Sequence, residues 1–86
     1  MKIYKISQNK NDEYDTYISA VVVAKNEDEA TRIHPDGSTK WKDSIGWGLE
    51  SETWVSSPDD VIVEFIGNAP KGIKEMGVIV ASFKQG

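Results

Sequence analysis

The chain alternates between short apolar runs and polar segments, and each apolar run has the length of a β-strand. Residues 2–7 (KIYKIS) place isoleucine and tyrosine among lysines. Residues 16–24 (TYISAVVVA) begin with β-branched and aromatic side chains and end in a continuous apolar run. A run without alternation is typical of a central strand that is covered on both faces. The polar residues 8–15 between the two runs predict a hairpin loop.

A helix is predicted directly after the second strand. Asn26 is a good N-cap residue, and Glu29 follows three positions later, which is the arrangement of a capping box. Three consecutive acidic residues then occupy the first turn, where the positive end of the helix dipole stabilises negative charge. Pro35 disfavours helical geometry at the residue before it. The predicted helix therefore covers residues 27–34, with His34 in its last turn.

The second half of the chain predicts two further strands and one irregular segment. Residues 61–66 (VIVEFI) and 77–83 (GVIVASF) have the composition and length of strands. Residues 36–53 are rich in glycine, serine and charge, which indicates either a long functional loop or a pair of irregular edge strands. Ser57 and Pro58 favour a turn or a one-turn helix.

These elements follow one another in the order β-β-α-β-β-β, counting one strand in the irregular region. Too many strands are adjacent for a parallel βαβ array. The pattern predicts one small α+β domain over residues 1–86, with a mainly antiparallel sheet of four to five strands and one short helix.

Composition and charge narrow the classes of function. The chain has no cysteine, which removes disulfides and zinc–thiolate sites and suits a reducing cytoplasm. No run approaches the roughly 20 apolar residues of a membrane span, and the first residues lack the apolar core of a signal peptide. The formal net charge is −4, and the lysines are scattered. We therefore expect a cytoplasmic protein that binds neither nucleic acid nor membrane directly.

Candidate catalytic chemistry depends on one residue, because His34 is the only histidine. The chain contains no G-x-S-x-G turn that would place a nucleophile beside it. We therefore expect His34 to be a structural residue near the C-terminal end of the helix, where the dipole favours positive charge, and we expect no enzyme activity. With Asp36 it supplies two metal ligands where three or four are usual. The glycines form no phosphate-binding motif. No metal and no cofactor are expected.

The tryptophans are the first group of candidate binding residues. Trp41, Trp47 and Trp54 lie close together in the chain, and tryptophan is enriched in binding hot spots. Trp47 and Trp54 also suit core packing, since one short helix leaves much of a sheet uncovered. Trp41 lies between Lys40 and Lys42, which makes an exposed contact equally reasonable.

Acidic residues form the second group. Glu27 and Asp28 lie in the first turn of the predicted helix, and Asp59 and Asp60 follow Pro58. Together they could present negative charge to a basic partner, since complementary potentials raise association rates. A solvated surface is the alternative interpretation.

The pattern MKIYKIS…YDTY…AVVVAKNEDEATRIHP…WVSSPDDVIVEFIG…GVIVASF spans almost the whole chain. It resembles a group of short acidic proteins encoded by bacteria, prophages and other mobile elements. That group brings no catalytic motif to transfer. In its genetic context small acidic proteins often inhibit host defences, anti-CRISPR proteins among them, so the resemblance implies an inhibitory role.

Taken together, the sequence predicts a non-enzymatic binding protein. The first hypothesis is a phage or mobile-element inhibitor that contacts a host defence protein, which would be a basic partner. The alternative is a small-ligand or nucleotide-sequestering protein in which Trp41 and Trp47 stack on the ligand. A homodimer is compatible with either hypothesis.

Overall fold

Four strands form one antiparallel sheet in the computed structural model, which describes residues 1–11, 15–48 and 52–84. The strands are β1 (Lys2–Ser7), β2 (Thr16–Ala24), β3 (Ile62–Asn68) and β4 (Gly77–Lys84). Their spatial order is β3-β1-β2-β4. The structure also contains one short helix, α1 (Glu27–Ala30), and a 3₁₀ turn at Pro58–Asp60. This architecture confirms the α+β class and the antiparallel sheet.

One face of the sheet, called the covered face here, holds the core. Tyr4 and Ile6 of β1 lie opposite Val22 and Ala20 of β2, and all four side chains are buried. Helix α1 packs on this face through Ala30, which is fully buried. The strands therefore alternate between the covered face and a second, open face.

The prediction that the apolar end of β2 is covered on both faces is confirmed at Val22 and Val23, which point to opposite faces and are 0% and 3% exposed, but it is wrong at Val21. β2 is internal, as expected, because it pairs with both β1 and β4. Val21, however, points to the open face and is only half-buried, and its partner Val80 on β4 is 59% exposed. A helix of one turn packs on one face of the sheet and leaves the middle of the other accessible.

Helix α1 begins as predicted but is shorter. The Asn26 side chain accepts a hydrogen bond from the N–H of Glu29 at 2.9 Å, which confirms the N-cap. The Glu29 carboxylate accepts from the N–H of Lys25 at 3.3 Å, one residue before the cap. The helix ends at Ala30, so the predicted extension to residue 34 is wrong.

Backbone pairing with a later segment ends the helix early. The N–H of Trp41 donates to the carbonyl of Arg32 at 2.9 Å, and the N–H of His34 donates to the carbonyl of Thr39 at 3.0 Å. Arg32 lies in a turn that follows the helix and His34 lies beyond that turn, so His34 is not at a helix C-terminus. Gly37 has a φ of 91°, which closes the turn between the paired residues.

The irregular region contributes buried side chains but, in its described part, no strand. Isolated bridges join Ile33 to Lys40 and Lys42 to Gly46. Farther along, Asn11 Nδ2 donates to the carbonyls of Glu52 (3.0 Å) and Trp54 (3.1 Å). The hairpin loop thus donates hydrogen bonds to these two carbonyls. The described residues of the irregular region do not form the fifth strand counted in the sequence order.

Candidate functional site

Two of the three candidate tryptophans are core residues. Trp47 is 2% exposed and Trp54 is 1% exposed, so neither side chain is presented to a partner. Trp47 Nε1 donates to the carbonyl of Val55 at 2.7 Å, which satisfies the polar end of the buried ring. The core interpretation therefore replaces the contact interpretation for both residues, because the segments that carry them fold onto the covered face.

Trp41 lies at the margin of this core. Its ring is half-buried, with its centroid 5.3 Å from that of Trp47 in an edge arrangement. Trp41 Nε1 donates to the Asp43 carboxylate at 3.1 Å. A Cβ at Gly46 would come within 3.1 Å of the Trp41 ring, which explains why glycine stands there. Part of Trp41 remains available at the surface.

His34 is fully buried within an aromatic cluster. The rings of Tyr17, Trp47 and Trp54 have centroids 5.6, 5.3 and 6.4 Å from its own. Its Nδ1 accepts the backbone N–H of Asp36 at 3.0 Å, and its Nε2 lies 3.0 Å from the hydroxyl of Thr53. Because Nδ1 accepts a hydrogen bond from an amide, it carries no proton itself. The neutral ring therefore has its proton on Nε2. Nε2–H then donates to Thr53.

This geometry differs from that of a catalytic dyad. The Asp36 carboxylate lies 3.6 Å from His34 Nδ1, but that nitrogen already accepts from the Asp36 backbone. In a dyad the carboxylate would instead accept a hydrogen bond from the Nδ1–H of the ring. The imidazole is also 0% exposed. His34 thus links the turn at residues 35–39 to Thr53 inside the core.

The Asp36 carboxylate organises the turn that follows His34. Its Oδ1 accepts from the N–H groups of Ser38 (2.9 Å) and Thr39 (2.8 Å), and its Oδ2 accepts from the Thr39 hydroxyl (2.6 Å). Burial opposes ionisation of this carboxyl, but the three donors, together with the charge that His34 carries when it is protonated, outweigh burial, so the pKa of Asp36 is lowered from its ordinary value of 3.8.

We expect this arrangement to add stability that acid removes. Because the folded-state pKa of Asp36 is lowered, its contribution is complete above about pH 4 and is lost as the pH falls through the lowered pKa. At pH 7 Asp36→Asn should lower the free energy of unfolding by about 1–2 kcal/mol. Urea unfolding at pH 7 and pH 3 measures the difference between the two proteins.

That difference should shrink at pH 3. Thr39→Val, which removes one of the three donors, should lower the free energy of unfolding by an amount between zero and the loss caused by Asp36→Asn. An equal difference at both pH values would contradict the assignment.

An acidic groove brings together residues from two separate segments. It has a volume of about 500 Å³ and is lined by Glu27, Asp28, Thr31, Pro58, Asp59, Val61 and Val63. The acids belong to the first turn of α1 and to the 3₁₀ turn, while Val61 directly precedes β3 and Val63 lies within it. Three of the four candidate acids therefore line one concavity, while Asp60 is not part of its lining.

The acids of this groove differ in how far they are neutralised. Asp28 forms an exposed ion pair with Arg32 at 3.6 Å. Within the described residues, Glu27 and Asp59 have no ion-pair partner, and both are exposed. Both also stand at helix starts, where the local dipole stabilises their charge. Glu27 and Asp59 thus supply the uncompensated negative charge.

Phe65 is an exposed aromatic residue that adjoins the groove, and it is not among the candidate residues predicted from the sequence. Glu27 also lines a neighbouring concavity with Lys2, Tyr4, Asn26 and Phe65. Phe65 is 52% exposed, and its ring packs edge-on against Tyr4 at 5.8 Å. Its position on an edge strand is the reason for this exposure, since α1 covers the middle of the sheet. The strand alternation places Phe65 with the core-facing valines and so gives no sign of it.

A second pocket lies on the irregular segment. It has a volume of about 400 Å³ and is lined by Ser38, Thr39, Lys40, Lys42, Ile45, Gly46 and Trp47. The sequestering hypothesis required ring faces for stacking. Trp47 is only 2% exposed and so offers little ring surface to the pocket, and the half-buried Trp41 is not among its lining residues.

Neither a metal-binding cluster nor a membrane-spanning helix is present in the described part of the chain. Within residues 1–11, 15–48 and 52–84, no group of three or more acidic or histidine side chains is placed to hold a metal ion, and no helix is long and apolar enough to cross a membrane. The chain matches no family model, no curated protein and no solved structure.

Proposed function

We propose that this protein is a non-enzymatic binding protein that acts by protein–protein contact. In this proposal the acidic groove receives a basic segment of the partner. The observation that carries the proposal is the convergence of Glu27 and Asp59, from separate segments, on one groove that Val61 and Val63 also line. The role as a phage or mobile-element inhibitor of a host defence protein rests on the sequence resemblance.

The electrostatics of the groove suit a basic partner. Uncompensated carboxylates in a concave surface focus negative potential, which raises the association rate of a positively charged segment. Such complementarity also discriminates against acidic partners, because like charges brought together cost several kcal/mol. The net charge of −4 acts in the same direction.

Apolar surface beside the charge supplies the second component of a protein interface. Val61 and Val63 line the groove, and both are half-buried. Phe65 stands exposed beside Glu27, where a partner side chain can cover its ring. Aromatic residues at the centre of an interface commonly contribute most of the binding free energy. The buried position of His34 supports a function without catalysis.

The test is the charge reversal of the two uncompensated acids. We expect Glu27→Lys with Asp59→Lys to weaken binding of the captured partner by about 100-fold, because two attractive contacts become repulsive. The partner is first identified by affinity capture from a host lysate and mass spectrometry. Its dissociation constant for wild type and variant is then measured by calorimetry with both proteins purified.

A matched control variant changes the net charge by the same amount as the groove variant. Glu52→Lys with Glu75→Lys reverses two exposed acids outside the groove and should leave the dissociation constant within about threefold of the wild-type value. Equal loss of binding in both double variants would mean that only net charge matters. Unchanged binding in the groove variant would refute the groove as the contact surface.

A further inference from the structure

The acidic groove continues into the concavity that contains Phe65, because Glu27 lines both. Their volumes are about 500 and 460 Å³. The segment from Pro58 to Phe65 supplies one side of the two concavities. Helix α1 and the residues that flank it supply the other side, through Asn26, Glu27, Asp28 and Thr31. The two concavities together are called the extended groove here.

The β3 side of the extended groove is apolar and straight. Val63 and Phe65 lie opposite the buried Ile6 and Tyr4 of β1, so their side chains share the covered face. Val61 stands two positions earlier with an extended backbone and lines the same groove. At roughly 3.3 Å per residue, Val61 and Phe65 are about 13 Å apart along the chain. This side therefore has the length of about four residues of an extended peptide.

The α1 side of the extended groove carries negative charge. Glu27 and Asp28 belong to the first turn of α1, and Asp59 adds a carboxylate at the end where Val61 lies. Asp28 is paired with Arg32, but both side chains are exposed, so the pair contributes little stability and an incoming cation can take the place of Arg32. Glu27 has no ion pair to displace within the described residues. Basic side chains are therefore favoured along this side.

Lys2 limits where a basic side chain can bind. It lines the concavity beside Phe65, whereas the lining of the acidic groove, as far as the structure describes it, contains no basic residue. Like charges brought together are unfavourable, so a basic side chain is disfavoured at the Phe65 end of the extended groove. Phe65 is 52% exposed there and offers ring surface to an apolar side chain. The two ends of the groove thus favour different side chains.

We infer that the extended groove binds a short extended segment of the partner in which basic and apolar side chains alternate. This inference rests on the proposed function, since it names the chemistry of the same partner. Successive side chains of an extended chain point to opposite sides, so the basic ones meet Glu27 and Asp28 while the apolar ones cover Val63 and Phe65. A helix with the same alternating sequence would mix both kinds on every face.

Two synthetic peptides of identical composition test the alternation. In one, arginine and valine alternate over six positions between glycine–serine flanks, and in the other the arginines form one block and the valines the next. In the block peptide each side of the extended chain carries both kinds of side chain, so arginine is set against the apolar side of the groove. Calorimetry with the purified protein should show that the alternating peptide binds about 10-fold more tightly.

Phe65→Ser tests the apolar side of the groove. It removes the exposed ring and should weaken binding of the alternating peptide about 10-fold. The matched control is Ile66→Ser, because Ile66 is also 52% exposed and adjacent in the chain but lines neither concavity. This control should leave the dissociation constant within about twofold of the wild-type value. Circular dichroism and thermal unfolding confirm that both variants are folded.

The outcomes separate this inference from the proposed function. Equal affinity for the two peptides, or binding that Phe65→Ser leaves unchanged, would overturn the inference. If Glu27→Lys with Asp59→Lys still abolished that binding, the charge contact of the proposed function would stand. Failure of both peptides to bind the wild type would also overturn the inference, while the captured partner would test the proposed function independently. Peptide binding that the double charge reversal left unchanged would contradict both.

Discussion

Replacing Trp54 by alanine is expected to lower the free energy of unfolding by about 3–5 kcal/mol, the usual cost of removing a buried aromatic ring. The Trp54 side chain is among the largest fully buried ones, and its indole packs beside His34. Small domains have only about 5–15 kcal/mol of stability, so this variant should lose a large fraction of its free energy of unfolding. Urea unfolding followed by circular dichroism measures the loss.

The matched control is Trp41→Ala. Trp41 is half-buried and its polar end bonds to an exposed carboxylate, so its removal should cost about 1–2 kcal/mol. A ranking in which Trp41 costs as much as Trp54 would contradict the assignment of Trp54 to the core. It would also reopen the contact interpretation for the whole tryptophan group.

The strands could be predicted from the sequence because their signal is local. The apolar runs at 2–7, 16–24, 61–66 and 77–83 each became a strand, with ends that differ by one or two residues. The N-cap at Asn26 was equally readable, since it depends on residues three positions apart. Periodicity and capping are properties of neighbouring residues.

The helix end could not be predicted, because it depends on a distant partner. Pro35 predicts a helix end at residue 34, but the helix ends four residues earlier, at Ala30, and the carbonyl of Arg32 pairs with the N–H of Trp41. The burial of Trp54 has a similar cause. Its segment is held on the covered face by bonds from Asn11 and Tyr17, which no local pattern of residues indicates.

The candidate groove could not be predicted either, because it is formed by residues that are far apart in the sequence. Glu27 and Asp59 were each identified as candidate residues by composition, but only the fold shows that they line one concavity. Phe65 was missed because alternation assigns it to the core-facing side of β3. Whether such a residue is covered depends on the length of α1, and that length was overestimated.

The second large effect is expected at His34. His34→Ala should lower the free energy of unfolding by about 3–5 kcal/mol, because it empties a site between three aromatic rings and leaves polar groups of Asp36 and Thr53 without this partner. A catalytic histidine predicts the opposite, namely a lost phenotype with an unchanged melting temperature. Thermal unfolding of the purified variant separates the two.

Conservative variants at the same position refine this test. His34→Asn can still accept the N–H of Asp36 near the place of Nδ1, and His34→Gln can reach toward Thr53 in place of Nε2. Each should recover part of the stability that alanine loses. If all three variants had the melting temperature of the wild type, His34 would not stabilise the fold, and a chemical role would become the better explanation.

The central claim is that the only histidine of this chain belongs to the fold, so that function lies on the surface. Nitrogen-15 NMR of the imidazole tests it most directly, because it reports which ring nitrogen carries the proton. We predict a neutral ring with the proton on Nε2, a bare Nδ1 and slow exchange of the ring proton with solvent. A proton on Nδ1 shared with the Asp36 carboxylate, exchanging rapidly with water, would contradict the account.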